Sequence, residues 1–294
     1  MSAAFDVVDH RLLLKKVSAY GFQEDVVAWL ESYLNNRAQA VSINGDISEL
    51  INIQSGVPQG SILGPLLYTL YTNELPEVIF QSNPNINPSF PQYNTGKGKN
   101  ESLCCFADDT TFTSIHSDHT VLSQNLENQY KIIAEFLTDN GLKVNDDKTH
   151  LVVVSNGNSR AKSQSANLVE IRTPSKTIRP TNSEKLLGCW IEEDLKWNNH
   201  IRESDDNLVK SLSQRVTALK RITKVCSFKT RKMIANGIFL SKLSYLITVW
   251  SNCSKDMMKS LQAQQNKVAR YITRNNWETR TITNFNQVSW LLVR

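Results

Sequence analysis

The run CCFADDTTF, residues 104–112, sets two carboxylates side by side. Asp108 and Asp109 follow an apolar stretch and precede two threonines and a phenylalanine. On a regular strand, neighbouring side chains leave on opposite faces. In a tight turn between two strands, both can lean towards one edge, where their charges repel. Hard divalent cations prefer oxygen ligands and offset that repulsion. Two magnesium ions about 4 Å apart can activate an attacking hydroxyl and stabilise a leaving pyrophosphate. An exposed Asp-Asp turn explains the dipeptide alone equally well.

Other stretches also carry chemistry. In SGVPQGSILGPLLYTLYTNEL, residues 55–75, Gly56, Gly60 and Gly64 would let the backbone approach a nucleotide. Pro58 stiffens the turn, and the Gln59 amide can hydrogen-bond a sugar or a base. Turn geometry alone also accounts for the glycines. Lys148 follows Asn145-Asp146-Asp147 and reads either as a functional cation or as the ion-pair partner of those acids. His116 and His119 lie near the Asp-Asp turn, but two histidines without further ligands read as surface residues.

The elements that would position these residues can be read from periodicity. Residues 10–20 and 25–35 read as helices, since Leu13, Val17 and Tyr20, then Val26, Leu30 and Leu34, recur at helical spacing. QAVSINGDISELINIQSG reads as a hairpin turning at Asn44-Gly45. An apolar helix follows the Gly/Pro-rich segment. Residues 81–102, rich in Asn, Pro, Ser and Gly, read as a flexible insertion. Residues 103–115 read as strand, turn, strand around the aspartates. A helix capped by Asp118 runs to about Asn140, with Gly141 as its stop. LKVNDDKTHLVVVS reads as a short hairpin, and residues 155–182 as loop with a weak strand near Leu168–Arg172. KLLGCWIEEDL reads as a strand with a turn. From Trp197 the pattern is helical: Leu208, Leu212, Val216 and Leu219 share a face, and a later helix capped by Ser254 carries Met258, Leu261, Val268 and Ile272.

The chain has 294 residues, 40% of them hydrophobic, enough for one or two domains with sizeable cores. Its five cysteines form no CxxC pair and suit neither a zinc site nor a disulfide framework, which fits a reducing intracellular compartment. No apolar run is long enough to span a bilayer. The net charge of +5 hides an asymmetry. Residues 1–194 hold 15 Lys+Arg against 23 Asp+Glu, and residues 195–294 hold 18 against 5. Between Asn207 and Arg274 the one acid is Asp256. A basic half suits a polyanion, although a solvated helical face gives the same charge pattern.

Taken together and in order, these segments resemble the reverse transcriptase of LINE-type non-LTR retrotransposons. FADD followed by TTF resembles that family's catalytic turn. SGVPQGSILGPLLYTLYTNEL is similar to its nucleotide- and template-contacting segment, and FLTDNGLKVNDDKTHLVV to the segment after the turn. KLLGCWIEEDLKWNNHI resembles the stretch that grips the primer, and AAFDVVDHRLLLKKVSAYGF fits the beginning. The resemblance covers most of residues 1–201.

That resemblance implies RNA-directed DNA polymerisation, with two magnesium ions, dNTPs, an RNA template and a DNA primer, and no membrane. It implies an α+β fold, with a palm of antiparallel sheet backed by helices over residues 1–195 and a basic helical thumb over 196–294. It implies Asp108 and Asp109 as catalytic metal ligands, with Lys148 facing the pyrophosphate. Phe5 resembles the aromatic gate that selects deoxynucleotides, although a core phenylalanine is the alternative. Gln59 and Gly60 would face the incoming dNTP. Gly188 and Trp190 would form part of the primer grip. Lys210, Lys220, Arg221 and Lys224 would follow a nucleic-acid backbone. Nuclear action is the family expectation.

The sequence departs from the family in one respect. The family's first metal-binding aspartate lies five residues before the gate aromatic, and this register puts it just before Met1. Asp6 and Asp9 are no substitutes by register. The fingers and any endonuclease would also lie upstream. The expectation is therefore a polymerase fragment with impaired turnover; alternatively, a non-catalytic nucleic-acid-binding relic.

Overall fold

The computed structural model describes residues 4–82, 101–154, 168–222 and 225–293. Most of the 81–102 insertion, much of the 155–182 loop, and Lys224 lie outside the described residues. The fold is α+β, with helices and small two-stranded antiparallel sheets. Two compact units form, one within Met1–Leu151 and Ser163–Pro180, the other within Val152–Lys162 and Thr181–Arg294. The hairpin of residues 183–192, which the sequence reading placed before a boundary at 195, packs with the second unit.

In the first unit, α1 (His10–Ala19) starts at Asp9, whose side chain accepts from the Leu12 amide at 2.7 Å. It packs on α2 (Glu24–Leu34) and α3 (Leu63–Thr72). Leu13, Val17, Leu30, Leu34, Leu67, Tyr68 and Tyr71 form a buried core. Four short strands make the expected hairpin: β1 (Ala38–Gln39) pairs with β4 (Ile51–Asn52), and β2 (Ser42–Ile43) with β3 (Asp46–Ile47). Asn44 and Gly45 both take positive φ, as a two-residue hairpin turn requires.

Helix α4 (Leu75–Ser82) packs on α5 (His119–Asp139). Asp118 caps α5, accepting from the amides of Thr120 and Val121. Its C-terminus closes on Gly141 at φ +67, with Leu142 N–H donating to the Leu137 carbonyl and Gly141 N–H to that of Thr138. These two bonds satisfy carbonyls that the helix end would otherwise leave unpaired.

Between them, β5 (Glu101–Phe106) and β6 (Asp109–Ser114) form a hairpin. Leu103 and Phe112 face each other across it and pack on the core.

Residues 142–154 are not the expected hairpin. Asp146–Lys148 forms a 3-10 turn, because the Asn145 side chain accepts from the amides of Asp147 and Lys148 and caps it. Leu151 instead makes an isolated parallel bridge to Pro180. Within the expected loop, β7 (Ile171–Arg172) pairs with β8 (Thr177–Ile178).

The second unit opens with the hairpin β9 (Ser183–Leu186) and β10 (Cys189–Glu192). Leu187 and Gly188 both take positive φ in its two-residue turn. Helices follow: α6 (Leu208–Ile222), α7 (Phe228–Ala235), the short α8 (Ser241–Ser244) and α9 (Ile247–Trp250), then α10 (Lys255–Thr273) and α11 (Thr281–Val288). Leu208, Leu212, Val216 and Leu219 are buried as their spacing requires. On α10 the inward residue is Met257, and Met258 is half-buried. Buried Arg231 ties this core together, since Nε and Nη2 donate to the Ile272 carbonyl at 2.9 and 2.7 Å. A cation at the carbonyl end of a helix complements its dipole.

Candidate active site

Two extended segments hold one side of the site. The Gly56 amide donates to the Val8 carbonyl at 2.8 Å, and the Val57 amide to the Phe5 carbonyl at 2.7 Å. His10 Nε2 donates to the Gly56 carbonyl at 2.7 Å. Gly56 is required here. A Cβ would lie 2.7–2.9 Å from backbone atoms of Asp6, and its φ is +88. The close approach that glycine permits at this position is therefore to the chain's own residues 5–8. Gly60 is different: its φ is +78, and a Cβ there meets open space. The Gln59 amide donates to Asp6 Oδ1 at 2.8 Å, which makes exposed Asp6 its partner.

Pinned in this way, the Phe5 ring lies on the Tyr68 ring of α3, centroids 4.7 Å apart. The Asp-Asp hairpin supplies the third member. Phe106 pairs with Asp109, so the two-residue turn is Ala107-Asp108. Ala107 sits at φ 51, a left-handed conformation costing roughly 1–2 kcal/mol for a residue with a Cβ. Asp108 comes close enough to Tyr68 for its charge to act there. Burial pushes the Tyr68 phenol up first, and the Asp108 carboxylate pushes it further. Asp109 shares the Phe106 side of the hairpin, opposite the face that carries Leu103 and Phe112. The structure thus packs Phe5 on Tyr68, with half-buried Asp108 acting on the Tyr68 phenol through its charge, and leaves Asp109 exposed on the outer face. Tyr68 escaped the sequence reading, because its helical stripe with Leu67 and Tyr71 looks like ordinary core.

Lys148 is exposed, and among the described residues it makes no salt bridge. Its acidic neighbours are engaged elsewhere. Asp147 pairs with Lys176 at 3.3 Å. Asp146 accepts from the hydroxyls of Tyr130, Ser175 and Thr173. Burial would raise the Asp146 carboxyl, but those three hydroxyls hold it below its ordinary value.

The donor chemistry can be tested against magnesium. Among the described residues no group of three His, Cys, Asp or Glu could hold a metal. Magnesium is commonly held by one or two carboxylates together with waters and substrate phosphates. Half-buried Asp108 offers one carboxylate of the kind such a site uses.

The second unit carries its own cluster. Trp190 Nε1 donates to Asp206 Oδ1 at 2.8 Å, and Lys185 pairs with the other oxygen of that carboxylate. These bonds hold the Asp206 carboxyl well below the usual range, at about 2. The Tyr245 hydroxyl donates to the Leu187 carbonyl at 2.7 Å and fixes the hairpin turn beside Gly188. Gly188, Trp190 and Lys210 line one cleft of about 390 Å³. Lys220 and Arg221 are exposed further along α6. The sequence reading did not single out Lys185, His200, Arg215 or Lys242, which also line the cleft. Lys185 and His200 lie within the quoted stretch KLLGCWIEEDLKWNNHI but were not singled out in it, and Arg215 and Lys242 are isolated charges that no motif marks.

The family described as Reverse transcriptase (RNA-dependent DNA polymerase) matches residues 1–191. The chain belongs to the reverse transcriptase family. Its likeness to individual relatives extends past that span. The chain is 28% identical over 255 residues to a probable RNA-directed DNA polymerase from transposon X-element of Drosophila melanogaster, covering 86% of this chain and 25% of the relative. It is 26% identical over 273 residues to the corresponding probable polymerase of transposon BS from the same fly, covering 93% and 28%. It is 23% identical over 281 residues to the RNA-directed DNA polymerase from mobile element jockey, also of Drosophila melanogaster, covering 95% and 28%. The chain therefore spans about a quarter of the length of these curated relatives. The resemblance to non-LTR elements read from the motifs agrees with the names of these relatives.

Proposed function

We propose that this chain supplies the nucleotide- and primer-binding part of an RNA-directed DNA polymerase of a non-LTR retrotransposon. The reading is supported by the reverse transcriptase match over residues 1–191 and by the packing of Phe5 on Tyr68, whose phenol the Asp108 charge also raises. In this reading the first unit acts as the palm and the helices of the second as the thumb. RNA template, DNA primer and dNTPs are the substrates.

Each residue has a role set by its chemistry. Asp108 would hold magnesium jointly with the triphosphate, and Asp109, its expected companion, would add only its charge from the outer face of the hairpin. When bound, magnesium supplies charge neutralisation at the phosphates. Phe5, braced by Tyr68 and by the backbone pairing at Val57, crowds the sugar where a ribose would carry its 2′-hydroxyl. Gln59 and Gly60 border the same space. Gln59 exchanges its bond to Asp6 for one to the nucleotide. Lys148, with its neighbouring acids already engaged, is available to the leaving pyrophosphate. Gly188 and Trp190 hold the primer end, with Trp190 fixed through Asp206. Lys210, Lys220 and Arg221 contact backbone phosphates without reading sequence.

Primer extension on an RNA template, in magnesium with dNTPs, tests the reading. Extension by the wild-type chain that chelation abolishes is the expected result. Absence of extension by a folded chain, with template–primer bound, would overturn the catalytic part.

A further inference from the structure

We propose that His10 is a positioning residue for nucleotide selection, clamping the turn that carries Gln59 and Gly60 onto the segment that carries Phe5. The inference rests on the nucleotide-binding reading above and adds a residue that acts through Phe5 instead of on the nucleotide.

His10 opens α1. Its backbone is firmly placed. The Asp9 side chain accepts from the Leu12 amide at 2.7 Å, the Asp9 carbonyl accepts from the Leu13 amide at 2.9 Å, and Leu13 and Val17 are fully buried. From this base the half-buried imidazole reaches the Gly56 carbonyl, 46 residues along the chain, at 2.7 Å. A carbonyl only accepts, so Nε2 carries the proton.

One peptide group is held at both ends in this way. Its carbonyl belongs to Gly56 and accepts from His10, and its N–H belongs to Val57 and donates to the Phe5 carbonyl at 2.7 Å. In a planar trans unit the two point in opposite directions, so one cannot turn without the other. Gly56 is buried at φ +88, and glycine is the residue whose backbone turns most freely. Without a donor at position 10, a buried carbonyl loses its partner, and turning the peptide is the way to find another. That turn breaks the bond from Val57 to Phe5, the backbone tie that sets the Phe5 ring on Tyr68. The other ties lie on neighbouring groups. The Gly56 amide keeps Val8, and the exposed Ser55 hydroxyl and Gln59 amide keep Asp6. None of them holds the peptide that grips Phe5.

Loss of the clamp therefore lets the Phe5 ring move against the sugar, and the effect falls on discrimination between deoxyribose and ribose. A histidine that served stability alone would lower the amount of folded chain and treat both sugars alike.

The test compares His10→Gln with His10→Asn in the whole chain. A Gln amide reaches as far as Nε2, whereas an Asn amide stops one methylene short. Binding of labelled dATP and of ATP to the chain with template–primer and magnesium is measured beside incorporation of each, and a thermal melt checks folding. The wild type should prefer dATP. His10→Asn should cut that preference by about tenfold or more, in binding and in kcat/KM, and His10→Gln should restore most of it. Hydrogen exchange at the Val57 amide should quicken in His10→Asn and slow again in His10→Gln. An unchanged preference in folded His10→Asn, or an equal loss in both variants, would overturn the proposal. The wild type provides a check that needs no variant: imidazole 15N shifts should report the Nε2–H tautomer, and the Nδ1–H tautomer would overturn the clamp. A chain that extends no primer, yet whose dATP preference in binding depends on position 10, would leave the clamp standing and sink the polymerase reading alone. Extension with a preference indifferent to position 10 would sink the clamp alone, and binding of neither nucleotide would sink both.

Discussion

The two units differ in the charge they carry and in how they present it. The first has an acidic sequence and carries a carboxylate at a hairpin tip whose charge acts on Tyr68, one of a pair of packed aromatic rings. The second is basic and helical, and it gathers cations around a cleft. A carboxylate attracts phosphate only through a cation, so under the proposed function the first unit would select a substrate that arrives with its metal. Cations attract any polyanion directly, so under the proposed function the second unit would hold a strand whatever its sequence. The difference also shows in how each is built. The tip depends on close backbone approach at Gly56 and on left-handed Ala107. The cleft depends on long side chains and hydrogen bonds.

Substitutions in one unit should leave the other's property intact. The largest effect on stability is expected at Gly56→Ala, where the added methyl meets the Asp6 backbone. A loss of about 3 kcal/mol is expected. Hydrogen exchange should locate the opened amides in the first unit, and α6 should keep its protection. Arg231→Met removes two donors from the Ile272 carbonyl and should cost roughly 2 kcal/mol, read by urea denaturation. That loss belongs to the second unit, so Phe5–Tyr68 packing should survive. Substituting Lys220 or Arg221 by Gln should cut the salt slope of oligonucleotide binding by about one charge each and leave folding unchanged. The smallest effect concerns Asp206. Its carboxyl is depressed to about 2 in the folded chain. The stability it contributes is thus fully present above its unfolded value of about 4 and is lost as pH falls towards 2. The Trp190 indole resonance should hold its position down to about pH 4 and shift below it. Because the Asp206 side chain is about half exposed, at 48%, solvent screens its bonds and global stability should change little over that range.

Much of this was legible in the sequence where local chemistry governs. The Asn44-Gly45 turn, the Asp118 cap, the Gly141 stop and the buried stripe of α6 all follow from residue type and spacing. The hairpin around the aspartates was legible too, but its turn is Ala107-Asp108, and Asp109 opens the second strand instead of sharing the turn. Residues 142–154 were misread because the Asn145 side chain competes for backbone amides, which alternation alone does not show. Tyr68 could not be told from core, since the same stripe serves packing and site. The role of Gly56 was half legible: a close approach was foreseen, but its partner is the chain's own Asp6. His200, Lys242 and Arg215 come from separate elements, and only tertiary packing assembles them.

The central claim is that the hairpin tip works through Asp108, which stands beside Tyr68, while Asp109 faces away on the outer side. Single-turnover primer extension with Asp108→Asn and Asp109→Asn, compared at equal template–primer occupancy, tests it directly. A drop of at least about a hundredfold for Asp108→Asn and a distinctly smaller drop for Asp109→Asn is predicted. Equal losses, or extension that survives Asp108→Asn, would contradict it.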